Sequence, residues 1–124
     1  MPPTILIVDD EQHIRLLIEQ SLEDLEDEGV ELLTAADGDE ALAAVERHHP
    51  DLVFLDIMMP KRNGFEVCRA IKHDMGRSAA VVMLTAKGQA YDREQGLAAG
   101  ADRYVTKPFD PDELLQTART LLGL

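Results

Sequence analysis

Acidic, hydroxyl and amine side chains stand directly after short apolar runs in this chain. Ile5-Leu6-Ile7-Val8 is followed by Asp9-Asp10-Glu11, and Leu52-Val53-Phe54-Leu55 by Asp56. Ala80-Val81-Val82-Met83-Leu84 is followed by Thr85-Ala86, and Tyr104-Val105 by Thr106-Lys107-Pro108. If these runs are neighbouring strands, Asp9, Asp10, Asp56, Thr85 and Lys107 meet at one edge, because open α/β sheets bind ligands beyond their strand C-termini. Two carboxylates ~4 Å apart repel by roughly 4 kcal/mol at an effective dielectric of about 20, so three together call for cations. Lys107 supplies one charge. An all-oxygen donor set with room for water suits Mg²⁺. Such a cradle neutralises a phosphoryl group: the cations draw charge from its oxygens, while the Thr85 hydroxyl and the Ala86 backbone N–H donate to it. Asp56 is then placed as a carboxylate nucleophile that forms an acyl phosphate.

Each residue also has an ordinary use. Asp10 could cap a helix, Asp56 could open a turn before Pro60, and Lys107 could be a solvated loop lysine. Their conjunction at successive strand ends is what favours chemistry. His13 lies just beyond the acidic pair, but one imidazole without a partner is poor grounds for a softer metal. Cys68 reads as a helix packing residue rather than a reactive thiol.

The elements that must position these groups alternate. The apolar runs are continuous and the first three carry β-branched residues, as in strands buried on both faces. Val30 to Ala35 is mixed in polarity and belongs at a sheet edge. Ile14, Leu17, Ile18, Leu22 and Leu25 share one helical face. Asp37 and Glu40 have capping-box spacing ahead of Ala41, Leu42 and Val45. A third helix is expected from Phe65 to His73 and a fourth, punctuated by Gly88, Gly96 and Gly100, from Gln89 to Ala99. The last has Asp110 as N-cap, Pro111 at its first position and Glu113 completing a box. This β-α order, repeated five times, predicts an α/β doubly wound parallel sheet with helices on both faces. It uses the whole of residues 1–124, leaving no room for a second, output domain in this chain.

Composition narrows the function. In 124 residues, 12 Lys and Arg stand against 24 Asp and Glu, a net charge of −12. That excess of acid argues against direct nucleic-acid binding and against an anionic membrane surface. A single cysteine excludes an internal disulfide and fits a reducing, cytoplasmic setting. No apolar run approaches the ~20 residues of a membrane span, and the N-terminus lacks signal-peptide features.

Taken together, Ile7-Val8-Asp9-Asp10-Glu11, Leu55-Asp56-Ile57-Met58-Met59-Pro60, Asn63-Gly64, Leu84-Thr85-Ala86, Gly100-Ala101-Asp102 and Tyr104-Val105-Thr106-Lys107-Pro108-Phe109 resemble the response-regulator receiver domain of two-component signalling. The resemblance covers about Thr4 to Leu122. It implies a flavodoxin-like (βα)5 fold with strand order 2-1-3-4-5, an order that comes from the family and not from the residues. It implies Asp56 as phosphoacceptor, Asp10 as a direct Mg²⁺ ligand (Mn²⁺ being able to substitute), Asp9 acting through water and the Met58 backbone carbonyl as the remaining protein ligand. Thr85 matches the switch hydroxyl, Lys107 the active-site lysine with a cis bond to Pro108, and Tyr104 the aromatic whose rotamer reports activation. The implied partners are a histidine kinase or histidine phosphotransfer protein and a downstream effector. They would be read through the face of the fourth helix, fifth strand and last helix, in a monomer or a phosphorylation-linked dimer. Arg103 stands where dimerising relatives often carry an acid, which counts against a dimer through that face. Met58 and Lys87, two positions beyond Asp56 and Thr85, could hinder attacking water; the hypothesis of slow self-dephosphorylation fails if the phosphoryl group decays in seconds in buffer.

The chain is thus expected to be a regulatory phospho-acceptor rather than an enzyme acting on a separate substrate. A phosphohydrolase of the haloacid-dehalogenase class would present an acid two residues after its nucleophile, where Met58 stands. A flavin module would want a Ser/Thr/Gly-rich loop after the first strand, and Asp9-Asp10-Glu11 would repel a phosphate there. A receiver reduced to binding alone would be expected to lose Asp56, Thr85 or Lys107, and all are present.

Overall fold

Alternation along each strand decides which side chains face which helix layer. In the computed structural model, which describes residues 2–75, 78–86 and 98–124, five strands run parallel: β1 (Thr4–Val8), β2 (Glu31–Ala35), β3 (Leu52–Asp56), β4 (Ala80–Ala86) and β5 (Arg103–Lys107). Their order in the sheet is β2-β1-β3-β4-β5, as the resemblance implied, with β2 at one edge. Leu6, Val8, Val53, Leu55, Val81 and Met83 face one side. There they pack on Ala41 and Val45 of α3 (Gly38–His48) and on Val67 and Cys68 of α4 (Gly64–Arg69). Ile5, Ile7, Leu52, Phe54, Val82, Leu84 and Val105 face the other. They meet Ile18 of α1 (Gln12–Ser21), Leu25 of α2 (Glu23–Asp27) and Leu114 and Ala118 of α5 (Pro111–Leu122). The period of two therefore builds two cores from one sheet. Each fully buried Leu, Ile or Phe stabilises this arrangement by ~1.5–3 kcal/mol.

Helix starts follow local chemistry, with differences from the spacing-based expectation. Asp37 caps α3 by accepting from the Glu40 N–H at 2.9 Å, but the Glu40 carboxylate reaches back to the Ala36 N–H at 3.2 Å rather than to the N-cap residue. Asp110 caps α5 through the Asp112 N–H at 2.9 Å rather than that of Glu113, with Pro111 at the first position. The full reciprocal box is at Asn63 and Glu66, which starts α4. The third helix is shorter in its α part than expected, because Ala70–Asp74 continue it as a π-turn. The first helix breaks at Leu22 and resumes as α2. His49 ends α3 in the left-handed conformation at φ 49°. The fourth helix expected from Gln89, with Gly88, Gly96 and Lys87, lies outside the described residues except at its end, where Ala98 and Ala99 are helical. No described helix is long and apolar enough to cross a membrane.

Candidate functional site

Register brings the strand ends level. Val8 lies beside Ala35 and Leu55, Asp56 beside Leu84, Thr85 beside Thr106, and Ala86 beside Lys107. The residues that follow each apolar run are thereby drawn to one edge. Ligand atoms of Asp9, Asp10 and Asp56 all lie within 4.8 Å of one another. Lys107 reaches across from β5, its Nζ 3.1 Å from Asp9 Oδ2 and 3.1 Å from Asp56 Oδ1. Three carboxylates against one ammonium leave −3 + 1 = −2 when all are ionised.

The neighbours are unequal. Asp9 is fully buried, Asp56 is 5% exposed and Thr85 8% exposed, whereas Asp10 is open to solvent. Asp9 is also the most tied down. Its N–H donates to the Ala35 carbonyl, its Oδ1 accepts from the Glu11 N–H at 2.9 Å, and its carbonyl accepts from Arg15 Nη1 at 2.7 Å. The Glu11 N–H bond and the start of α1 are one feature, since Glu11 is that helix's N-cap and makes no side-chain cap of its own. Asp56 Oδ1 accepts from Lys107 and, at 3.4 Å, from the Met58 N–H.

Burial and the Asp9 charge push the Asp56 carboxyl up to about 6, against the pull of Lys107 and the Met58 N–H. Burial works to lower the Lys107 pKa, but the charges and hydrogen bonds of Asp56 and Asp9 outweigh it and hold the ammonium above its ordinary range. Among the described residues the edge is therefore an acidic site with Lys107 as its one internal counter-ion and a carboxylate that is costly to ionise. All donors are oxygen, the residual charge is −2, and Asp10 opens to water, so the residues fit a small hard dication.

The described residues place Asp9, Asp10, Asp56 and Lys107 together by measured distance and Thr85 and Ala86 alongside by register. Met58 follows on the loop and is 68% exposed. Tyr104 lies at the far end of β5 from Lys107, partly buried against the α3–α4 core. The Lys107–Pro108 bond is cis. His13 is not one of the clustered ligand residues; its side chain is 75% exposed and lies 3.5 Å from Glu11. Cys68 is buried, its Sγ 3.4 Å from the Ala99 carbonyl, and burial pushes its thiol up to about 11. Arg15 and the Asn63–Glu66 box were missed from the sequence. The Asn-x-x-Glu spacing was a readable signal for the box, and the Glu11-x-x-x-Arg15 spacing placed that arginine over the start of its helix.

Residues 5–119 match the family model described as the response regulator receiver domain. The chain is 48% identical over 118 residues to the "Probable transcriptional regulator ycf27" of Cyanophora paradoxa, covering 95% of this chain and 47% of that protein. It is 42% identical over 122 residues to the "Alkaline phosphatase synthesis transcriptional regulatory protein PhoP" of Bacillus subtilis, covering 98% of this chain and 49% of that protein. Among solved structures it is similar to a putative response regulator from Chloroflexus aurantiacus, with a TM-score of 0.88, 33% identity and full coverage of both chains. The chain spans about half the length of the two transcriptional regulators. It belongs to the response-regulator receiver-domain family of two-component signalling.

Proposed function

We propose that residues 1–124 form one receiver domain that accepts a phosphoryl group on Asp56 from phosphohistidine on a kinase or phosphotransfer protein. A carboxylate oxygen of Asp56 attacks phosphorus, the P–N bond to the donor imidazole breaks, and an acyl phosphate remains. The observation that carries this reading is the Asp56 carboxylate itself. It is buried at a strand end, 3.1 Å from Lys107, and its oxygens lie within reach of Asp9 and Asp10. With its pKa raised only to about 6, it is ionised and able to act as nucleophile at about pH 8.

Lys107 stays protonated at that pH and faces the oxygens of the incoming group. Thr85 and the Ala86 N–H, level with Thr106 and Lys107, are the proposed donors to the same oxygens. Asp10, Asp56 and the Met58 carbonyl are the proposed ligands of Mg²⁺ or Mn²⁺, with Asp9 acting through water. When bound, that ion supplies charge neutralisation at the phosphoryl oxygens. Thr85 and Tyr104 are the proposed switch, with a downstream effector reading the face that contains β5 and α5. The −12 charge supports protein partners rather than nucleic acid for this domain, in a cytoplasmic monomer or phosphorylation-linked dimer.

Intact mass after incubation with acetyl phosphate, with and without Mg²⁺, tests the reading on wild type and Asp56→Asn. One phosphoryl group gained only with Mg²⁺ and only on wild type is expected. Gain on the variant, or none on a folded, Mg²⁺-binding wild type offered a phosphohistidine donor, would refute it.

A further inference from the structure

We infer that the start of α3 is a clamp that positions the loop after Asp56, with Gly38 as its closest contact and the pairs Asp37–Lys61 and Asp39–Arg62 flanking it. The inference rests on the function proposed above, since this loop carries the Met58 carbonyl.

Residues 57–63 leave β3 directly after Asp56 and turn into α4. Burial holds the middle of this loop at Met59 alone, which packs partly buried against the core; Met58, Pro60, Lys61, Arg62 and Asn63 are exposed. Its ends are fixed by backbone bonds, Ile57 N–H to the Leu84 carbonyl at 3.4 Å and Gly64 N–H to the Ile57 carbonyl at 2.8 Å. Between those ends the Met58 N–H reaches Asp56 Oδ1 at 3.4 Å, and the Lys61–Arg62 turn meets α3. A Cβ on Gly38 would lie 2.6 Å from Arg62 Cβ and 2.9 Å from the Arg62 carbonyl oxygen, so the two backbones approach as closely as a missing side chain allows. Lys61 Nζ lies 3.3 Å from Asp37 Oδ2, and Arg62 Nε lies 3.0 Å from Asp39 Oδ1. Asp37 works in both directions, because its other oxygen caps α3 through the Glu40 N–H. Lys61 sits at φ 69°, a left-handed conformation that is uncommon for a residue other than glycine.

Exposed ion pairs alone hold a loop weakly. A close backbone contact adds geometry that two flexible side chains cannot supply. The clamp therefore makes Gly38, Asp37 and Asp39 positioning residues: they touch none of the reacting atoms and act through the loop. A 1 Å displacement of a carbonyl ligand is enough to weaken a site that demands near-octahedral geometry.

The test uses Gly38→Ala, the double variant Lys61→Met/Arg62→Met, and Gly29→Ala as control. Gly29 has φ 97° and open space around it, so alanine there strains the fold far from the loop. Three quantities are read: amide hydrogen exchange of residues 57–63 without metal, Mg²⁺ affinity by NMR titration, and the thermal midpoint. Gly38→Ala is expected to speed loop exchange and to weaken Mg²⁺ binding roughly tenfold. The control is expected to lower the midpoint with affinity unchanged. The double variant gives opposite signs for the two explanations, and carries the test if Gly38→Ala fails to fold. Removing two cations near a dication site tightens binding by Coulomb attraction alone, whereas loss of the clamp weakens it. Wild-type loop exchange in both variants, or tighter Mg²⁺ binding in the double variant, would overturn the clamp. A wild type that takes neither Mg²⁺ nor a phosphoryl group, with loop exchange altered in the variants, would instead sink the proposed function and leave the clamp standing.

Discussion

Asp56→Asn should make the metal-free protein more stable, although it removes the proposed acceptor. The Asp56 carboxyl is raised from 3.8 to about 6, chiefly by burial and next by the Asp9 charge. The folded state therefore binds its proton more tightly than the unfolded chain does. Sign follows from linkage: between these two values the folded state holds the extra proton, so stability falls as pH rises. Above about 6 the full penalty is present, and below 3.8 it is gone. A gap of about 2 pKa units corresponds to roughly 3 kcal/mol, an upper figure that local relaxation trims to ~1–3 kcal/mol. Asparagine mimics the neutral carboxyl and escapes that cost. For a chain of this size, ~1 kcal/mol moves the midpoint by roughly 3–5 °C. Circular dichroism suits the measurement because the chain has no Trp. In chelator at about pH 8 the variant should melt roughly 5–10 °C above wild type, and at about pH 4 the gap should nearly close. A wild type that melts at or above the variant at the higher pH would refute the electrostatic account of this site. So would a gap of the same size at both.

Three further outcomes follow from the same geometry. Lys107→Met removes the partner of two buried carboxylates, so Asp56 should titrate above its present value of about 6 by carboxyl NMR. Neutral-pH stability should fall by about 1–3 kcal/mol. Asn63→Ala removes the side-chain acceptor of the Glu66 N–H in the α4 capping box, leaving the backbone bond from residue 63 to the Glu66 carboxylate, and should cost ~0.5–2 kcal/mol in a denaturant titration. Cys68, buried with its thiol raised to about 11, should resist a thiol reagent at about pH 8 until the protein unfolds; prompt labelling of the native protein would contradict its placement in the core.

Much of this was legible in the sequence because the strong signals were local. Continuous apolar runs marked β1, β3 and β4, and the mixed polarity of Val30 to Ala35 placed β2 at an edge, where it lies. The acidic cluster was legible because parallel strands point the same way, so whatever follows each run shares an edge. What was not legible depended on side-chain competition. Glu40 had two N–H groups within reach and took that of Ala36. Asp110 took Asp112 rather than Glu113. Nothing in periodicity distinguishes an α-turn from the π-turn at Ala70–Asp74. The burial order of the acidic pair was also hidden. Two adjacent aspartates look equivalent in a sequence, and only the sheet edge decides that Asp9 is sealed in while Asp10 meets water.

The register also bears on how a charge added at Asp56 could be felt elsewhere. Paired residues of neighbouring strands share a face, and so do residues two apart along one strand. Met83 pairs with Tyr104 and Thr85 with Thr106, so Thr85 and Tyr104 lie diagonally on the same face of β4 and β5. That face is the one packed against Cys68, Ile71 and Ala99. Leu84 and Val105, one position along, face α1 and α5 instead. An aspartyl phosphate carries about −1.5 to −2 charges but replaces the carboxylate charge of Asp56, so the described groups at this edge go from −2 to roughly −2.5 to −3 before any added cation. Under the proposed reading, a Thr85 hydroxyl drawn toward it changes the volume open to Tyr104 on that face only. Such a coupling transmits no more than the difference in interaction energy between its two arrangements. Reversing a 1:99 preference to 99:1 would need about 5.5 kcal/mol, more than one hydroxyl hydrogen bond supplies, since even a bond to a charged group contributes ~1.5–3 kcal/mol. The Thr85 bond alone therefore accounts for a partial shift, and a complete one requires further contacts that differ between the two arrangements.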